Sequence, residues 1–206
     1  MSDNVILYTN PMSRGRIARW MLEEIGKPYR AEVMPYGPGM KSADYLAINP
    51  MGKVPAIVHG KTVVTESAAI CAYLADAFPE AGLAPLPHQR GDYYRWLFFA
   101  SGPLEAAWTN HSFGFVLPEG GEGRAGYGNF AQVLDVLEAA VTKGDYIASD
   151  RFSAADLYVA SQLGFGMRFK IIAPRPAFEA YVGRMTARPA MVRANALDEA
   201  AMPPPA

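Results

Sequence analysis

Glu66 and Ser67 stand side by side where an apolar periodicity begins, with Ile70, Leu74 and Phe78 recurring behind them at helical spacing. A helix starting near Thr65 or Glu66 presents free N–H groups and the positive end of its dipole, which favour a carboxylate, and the Ser67 hydroxyl adds a donor. The Glu66 carboxylate offers the opposite charge to an ammonium. Together they suit a zwitterionic amino-acid head. Upstream, Pro55 lies between Val54 and the apolar run Ala56-Ile57-Val58. A proline cannot donate to a sheet ladder, so it belongs at the start of a strand or at an edge. An X-Pro bond is cis at a cost of about 0.5 to 1 kcal/mol, and a cis Val54-Pro55 bond turns the Val54 N–H and C=O outward, where an extended peptide can pair with them. Three hydroxyls, Tyr8, Thr9 and Ser13, fall between the first apolar run and the first helical pattern.

The elements that must hold these groups can be read in order. Val5-Ile6-Leu7-Tyr8 reads as a buried strand ended by Thr-Asn-Pro. Ile17, Met21, Leu22 and Ile25 then share one helical face, and Gly26 stops the helix. Residues 29–33 follow as a strand, 34–40 as a loop and 41–48 as a short helix. A hairpin turns at His59-Gly60-Lys61 before the helix that begins beside Glu66. The order βαβα, hairpin, helix is that of a thioredoxin-like α/β domain over residues 1–79. Residues 80–88, rich in proline, read as a linker. Residues 89–206 read as an all-α helical bundle, with helices at 89–101, 129–143, 153–168, 176–186 and 190–201, and a disordered tail at Pro203-Pro204-Pro205.

Composition narrows the classes. The chain has 206 residues, half of them apolar, which is enough for a real core. Nineteen basic residues against twenty acidic ones argue against nucleic acid or an acidic membrane surface as the main partner. The start lacks the pattern of a secretory signal, and no uncharged run approaches a membrane span, so a cytoplasmic protein is expected. Cys71 is the only cysteine, which excludes a disulfide framework and a CxxC pair, and three scattered histidines lack metal-ligand spacing; no metal is expected. Residues 121–126 match GxGxxG but follow no clear strand, and read as a helix-helix loop.

The sequence N-P-x-G-K-V-P, then a hairpin, then E-S at a helix start resembles the glutathione transferase family, in its bacterial-type cytosolic form. Ser153-x-x-Asp156 ahead of the uncharged stretch 157–167 strengthens the likeness, which runs from Ile6 to about Arg188. On physical grounds that motif is a capping box with Asp at the third position, opening a helix buried on every side. The resemblance implies glutathione as co-substrate, held by Val54, Pro55, Glu66 and Ser67, with Lys41 and Lys53 reaching its glycine carboxylate. It also implies a homodimer with a role in detoxification. A free thiol has a pKa near 8.5, and lowering it by about two units needs roughly 2.7 kcal/mol in favour of the thiolate. In the family the activating hydroxyl ends the first strand or lies in the loop after it. Ser13 is favoured here, Tyr8 is second and Thr9 third. The electrophile, a small hydrophobic molecule, is expected to meet Trp108, His111 and Phe115 near a helix end and loop. Conjugation is the expected reaction, with peroxide reduction, dehalogenation or isomerisation as variants. The rival reading is a non-catalytic glutathione-binding stress or assembly protein of the same fold.

Overall fold

The computed structural model describes residues 4–203, so the expected proline tail lies, beyond Pro203, outside the described residues. The elements in the first part of the chain are β1 (Val5–Thr9), α1 (Gly15–Ile25), β2 (Tyr29–Val33), α2 (Ala43–Leu46), β3 (Ala56–His59), β4 (Thr62–Thr65) and α3 (Ser67–Ala77). There follow α4 (Gly91–Phe99), α5 (Glu105–Ser112), α6 (Phe130–Val141), α7 (Ala154–Arg168), α8 (Pro176–Thr186) and α9 (Pro189–Ala200). Contacts divide the chain into two compact units, residues 1–83 with 187–206, and residues 84–186.

The first unit is a four-stranded mixed sheet in the order β2-β1-β3-β4, with β1 parallel to β2 and antiparallel to β3, and β3 antiparallel to β4. Alternation along β1 buries Val5, Leu7 and Thr9, and α1 turns Ile17, Met21, Leu22 and Ile25 inward, the face that its apolar spacing marks. Ile70, Cys71 and Leu74 of α3 complete this core. Val54-Pro55 is cis and stands immediately before β3.

Two departures from the sequence reading concern this unit. Residues 41–48 do not form one helix. Pro38–Lys41 makes a 3-10 turn, Ser42 is extended, and its hydroxyl accepts the Tyr45 N–H at 3.3 Å, so α2 keeps only four residues. The spatial division also departs from 1–79, 80–88 and 89–206, because residues 187–206 cluster with the first unit. The reason is α9, which packs along α1. Arg188 grips Glu24 through two bonds of 2.7 and 2.8 Å, and the buried Arg19 Nε meets Asp198 Oδ1 at 2.8 Å.

The second unit is helical, with α7 packed against α4 and α8. The uncharged stretch expected to be enclosed is largely so, since Leu157–Ala160, Gln162, Leu163 and Gly166 are all buried. The helix expected over 89–101 runs on. Pro103 lacks an N–H and would drive its ring into the carbonyl one turn back, and the chain widens into π-type turns over Ala100–Leu104 and continues as α5.

Candidate functional site

The sheet register gathers the candidate residues of the first unit. Tyr8 pairs with Ala56, and Ala56 with Thr65, so the end of β1, the start of β3 and the end of β4 lie in one row. Thr9 pairs with Val33 at the same end of β2, and the Met34 N–H donates to the Thr9 carbonyl at 2.7 Å. The segments carrying Ser13, Lys41, Val54 and Glu66 therefore all leave the sheet along a single rim.

Two turns on this rim share one construction. Asn10 and Asn49, both buried, each head an Asn-Pro-Met sequence and each accept, through Oδ1, the N–H two residues on, at 2.9 and 3.1 Å. Asn10 Nδ2 ties its turn to the Met34 carbonyl at 2.8 Å, and Asn49 Nδ2 ties its own to the Lys53 carbonyl at 2.7 Å. The Tyr45 hydroxyl donates to the same Lys53 carbonyl at 2.7 Å, and burial pushes that phenol up to about 12, so it stays a donor throughout the neutral range. The recurrence of Asn-Pro-Met at 10–12 and 49–51 is a legible signal for a side chain that closes its own turn.

Ser13 is half-buried just before α1. Its hydroxyl donates to the Asn10 carbonyl at 2.7 Å and accepts the Gly15 N–H at 2.9 Å. Thr9 is fully buried, and its hydroxyl has no hydrogen-bond partner among the described residues. A Cβ at Gly15 would collide with Thr9 Oγ1 and stand 2.9 Å from Ser13 Oγ, so both hydroxyls converge on the bare backbone of that glycine. Gly15→Ala should therefore destabilise the protein by about 1 to 3 kcal/mol through overpacking, although alanine is the better helix former by about 1 kcal/mol. A thermal melt showing the variant as more stable than wild type would contradict this crowding. Tyr8 is half-buried, its ring tilted against Tyr45 with centroids 5.6 Å apart.

Val54 makes no hydrogen bond through its N–H or C=O among the described residues, which leaves both main-chain groups available. Lys41 Nζ is committed to the Met51 and Gly52 carbonyls at 2.9 and 3.1 Å, whereas Lys53 is exposed and its ammonium has no partner among the described residues. Gly52 has a φ of 58°, and a Cβ there would stand 2.6 Å from the Met40 carbonyl oxygen and 2.7 Å from Lys41 Nζ. The turn closes only around glycine.

Glu66 precedes α3 with φ 66° and ψ 122°, a conformation that non-glycine residues rarely adopt. Its exposed carboxylate makes no hydrogen bond or ion pair among the described residues, and neither does the hydroxyl of Ser67, the first residue of α3. A strained acid and an uncommitted alcohol at a helix start are the arrangement expected of a binding site. Cys71, by contrast, is fully enclosed, and burial pushes its thiol up to about 12, so it supplies no thiolate.

In the second unit, His111 and Phe115 line a cavity of about 260 Å³ with Asn110, Tyr127 and Phe130. His111 stacks on Phe130 at 4.3 Å, and Asn110 donates to the Tyr127 hydroxyl at 2.9 Å. His111 belongs to the last turn of α5 and Phe115 to the loop beyond it. Trp108, on the same helix, is buried, with 8% of its surface exposed. The structure thus brings His111 and Phe115 together and leaves Trp108 in the helical core.

Comparison with known proteins identifies the family. The family model for the glutathione S-transferase N-terminal domain matches residues 12–77, and that for the glutathione S-transferase C-terminal domain matches residues 128–189. Glutathione S-transferase 3 of Zea mays is 30% identical over 178 residues, 80% of this chain and 79% of that one. Against another curated relative, from Arabidopsis thaliana, the match spans 59% of the relative's length. Among solved structures, a glutathione transferase from Methylococcus capsulatus str. Bath superposes with a TM-score of 0.78 at 31% identity, covering 95% of this chain and 99% of that one. A sphingomonad glutathione S-transferase complexed with glutathione gives 0.74 at 25% identity, over 94% and 98%. With both domain models matched in order along one chain, and a relative 30% identical over four fifths of it, this protein belongs to the glutathione S-transferase family.

Proposed function

We propose that this protein is a glutathione transferase that binds glutathione on the rim of its first unit, holds the sulfur as a thiolate and directs it at the electrophilic carbon of a small hydrophobic molecule. The observation that carries the reading is the uncommitted Glu66 and Ser67 pair at the start of α3, on the same rim as the free Val54 main chain and Ser13. Glu66 takes the ammonium of the γ-glutamyl head, while Ser67 and the free N–H groups of α3 take its carboxylate. Val54 pairs with the peptide as an added strand would. Lys53 is the better placed of the two lysines for the glycine carboxylate, since Lys41 already holds the 51–52 turn.

Ser13 stabilises the thiolate. Its hydroxyl proton is now donated to the Asn10 carbonyl, which would keep the Ser13 N–H at 3.0 Å if the hydroxyl turned to the sulfur, so the switch strands no acceptor. Tyr8 is the alternative donor. Thr9 acts behind Ser13, because its hydroxyl is enclosed. His111 and Phe115, with Trp108 as the resemblance suggests, are the residues we assign to apolar contact with the electrophile. We place the enzyme in the cytoplasm as a homodimer acting in detoxification, as the family resemblance suggests.

Retention on immobilised glutathione, followed by conjugation of a chloronitrobenzene, tests the reading. Binding with no turnover of several electrophiles would favour a non-catalytic glutathione-binding protein, and no retention would remove both. Glu66→Gly gives a sharper internal check. Relief of about 1 to 3 kcal/mol of backbone strain, less the 0.5 to 1 kcal/mol that glycine loses in chain entropy, should stabilise the fold by about 1 kcal/mol. The lost charge-assisted bond should weaken glutathione binding roughly 10- to 100-fold. Denaturant unfolding and calorimetry read the two effects separately, and unchanged affinity would remove Glu66 from the site.

A further inference from the structure

Arg16 makes contacts that glutathione recognition does not require. It lies on the first turn of α1, three residues beyond Ser13, and its guanidinium faces two ways. Nη1 donates to the Pro11 carbonyl at 3.2 Å, inside the turn that presents Ser13. Nη2 donates to Asn195 Oδ1 at 2.8 Å, on α9, and Nε stands 4.0 Å from Asp198 Oδ2 on the same helix. Asp198 is fully buried, its Oδ1 is taken by Arg19 at 2.8 Å, and its Oδ2 has no hydrogen-bond partner among the described residues. A buried oxygen without a hydrogen bond, facing Arg16, keeps that guanidinium oriented toward α9. Arg19 and Arg188 already fasten α9 to α1, so the Pro11 bond is the one that carries the attachment into the turn.

We propose that Arg16 is a positioning residue that locks the 10–13 turn to α9, so that the last helix of the chain sets where the Ser13 hydroxyl points. The inference rests on the reading that a hydroxyl of this turn stabilises the glutathione thiolate. Within the turn, the Ser13 N–H is held by the Asn10 carbonyl at 3.0 Å and the Gly15 N–H by Ser13 Oγ at 2.9 Å. Outside the turn, Asn10 Nδ2 ties it to the Met34 carbonyl at 2.8 Å and the Tyr36 hydroxyl donates to the Met12 carbonyl at 3.3 Å, both beyond β2. Pro11 is buried, and the Arg16 bond to its carbonyl is the tie that joins the turn to α9. Lysine can reach one of the two partners but cannot span both with a rigid fork, so the residue type matters as well as the charge.

Asn195→Ala, which removes the far anchor without touching the rim, is the variant to use, beside Arg16→Ala and Arg16→Lys. Hydrogen exchange of the full-length protein should show the Ser13 and Gly15 amides exchanging roughly tenfold faster in Asn195→Ala and Arg16→Ala, with the α3 amides unchanged. Unchanged exchange at Ser13 and Gly15 would overturn the tether whatever the chemistry of the site. In kinetics, Arg16→Ala should lower kcat about tenfold with KM for glutathione changed less than threefold, and raise the apparent pKa of the kcat profile. Arg16→Lys should fall between it and wild type. The double variant Arg16→Ala/Ser13→Ala should be no slower than Ser13→Ala alone, because the tether acts through that hydroxyl. Additive losses, or loosened amides with unaltered kcat, would overturn the positioning role. Ser13→Ala at wild-type rate would instead remove the assignment of the thiol donor while leaving the exchange result to stand on its own.

Discussion

Ser13→Ala should lower the rate of conjugation by roughly 10- to 100-fold and change glutathione affinity far less. The size follows from one charge-assisted hydrogen bond to a sulfur anion, about 1.5 to 3 kcal/mol, at about 1.4 kcal/mol per tenfold. The split follows from where the bond acts. In the proposed complex Glu66, Ser67 and Val54 grip the head and peptide of the tripeptide, whereas Ser13 meets only the sulfur, whose charge sets the nucleophile concentration. The geometry makes the donor available, since Asn10 retains the Ser13 N–H when the hydroxyl turns away. In the proposed complex the sulfur lies before the N-terminus of α1, whose dipole favours an anion. Steady-state kinetics with varied glutathione decides the matter. Wild-type turnover in Ser13→Ala, with the loss appearing in Tyr8→Phe, would transfer the role to the tyrosine.

Asp156→Ala should destabilise the protein by about 3 kcal/mol, the largest single effect expected on the fold. The carboxylate is fully enclosed and collects four donors: the Ile147 N–H at 2.7 Å, the Tyr181 hydroxyl at 2.8 Å, and the Ser153 N–H and hydroxyl at 3.0 and 3.1 Å. It thus closes the capping box at the start of α7 and also pins the 147 segment and α8 to that start. Alanine would leave those donors enclosed without an acceptor, at about 1 kcal/mol or more each, offset in part by relief from burying a charge. Burial holds the Asp156 carboxyl above the usual carboxylate range, against the pull of Ile147, Tyr181 and Ser153. The folded state therefore binds the proton more tightly than the unfolded chain, so this group's contribution falls as pH rises from the ordinary carboxylate pKa through the raised one. Asp156→Asn cannot titrate and should remove that part of the pH slope, even though it forfeits the bonds from Ser153. Denaturant unfolding at several pH values reads both, and a loss under about 1 kcal/mol for Asp156→Ala would show that other groups hold the start of α7.

The sequence made the rim legible because its signals are local. A proline before a strand, an acid and alcohol before a helix and a capping box each follow from neighbouring residues, and the structure has the cis Val54-Pro55 bond, α3 starting at Ser67 and α7 at Ala154. What local signals do not carry is what a distant segment does. Nothing in the residues around Arg16 marks it as a tie to α9, whose Asn195 lies 179 positions along the chain. The same contact explains why residues 187–206 cluster with the first unit although their helical pattern continues that of the second. Gly102-Pro103 reads as a helix end because glycine and proline usually are one, yet a widened turn lets the helix continue and carries Trp108 and His111 on it. Strain at Glu66 left no trace in residue type, since glutamate is not what a positive φ selects.

The pKa of glutathione's thiol while bound, followed by the ultraviolet absorbance of the thiolate as pH is varied, is the most decisive observation to make. If the rim holds the sulfur as an anion, the wild-type complex should titrate about two units below the free thiol's value near 8.5, and Ser13→Ala should return most of that shift. A bound thiol that titrates as it does in free solution would mean that this rim grips the tripeptide without activating it.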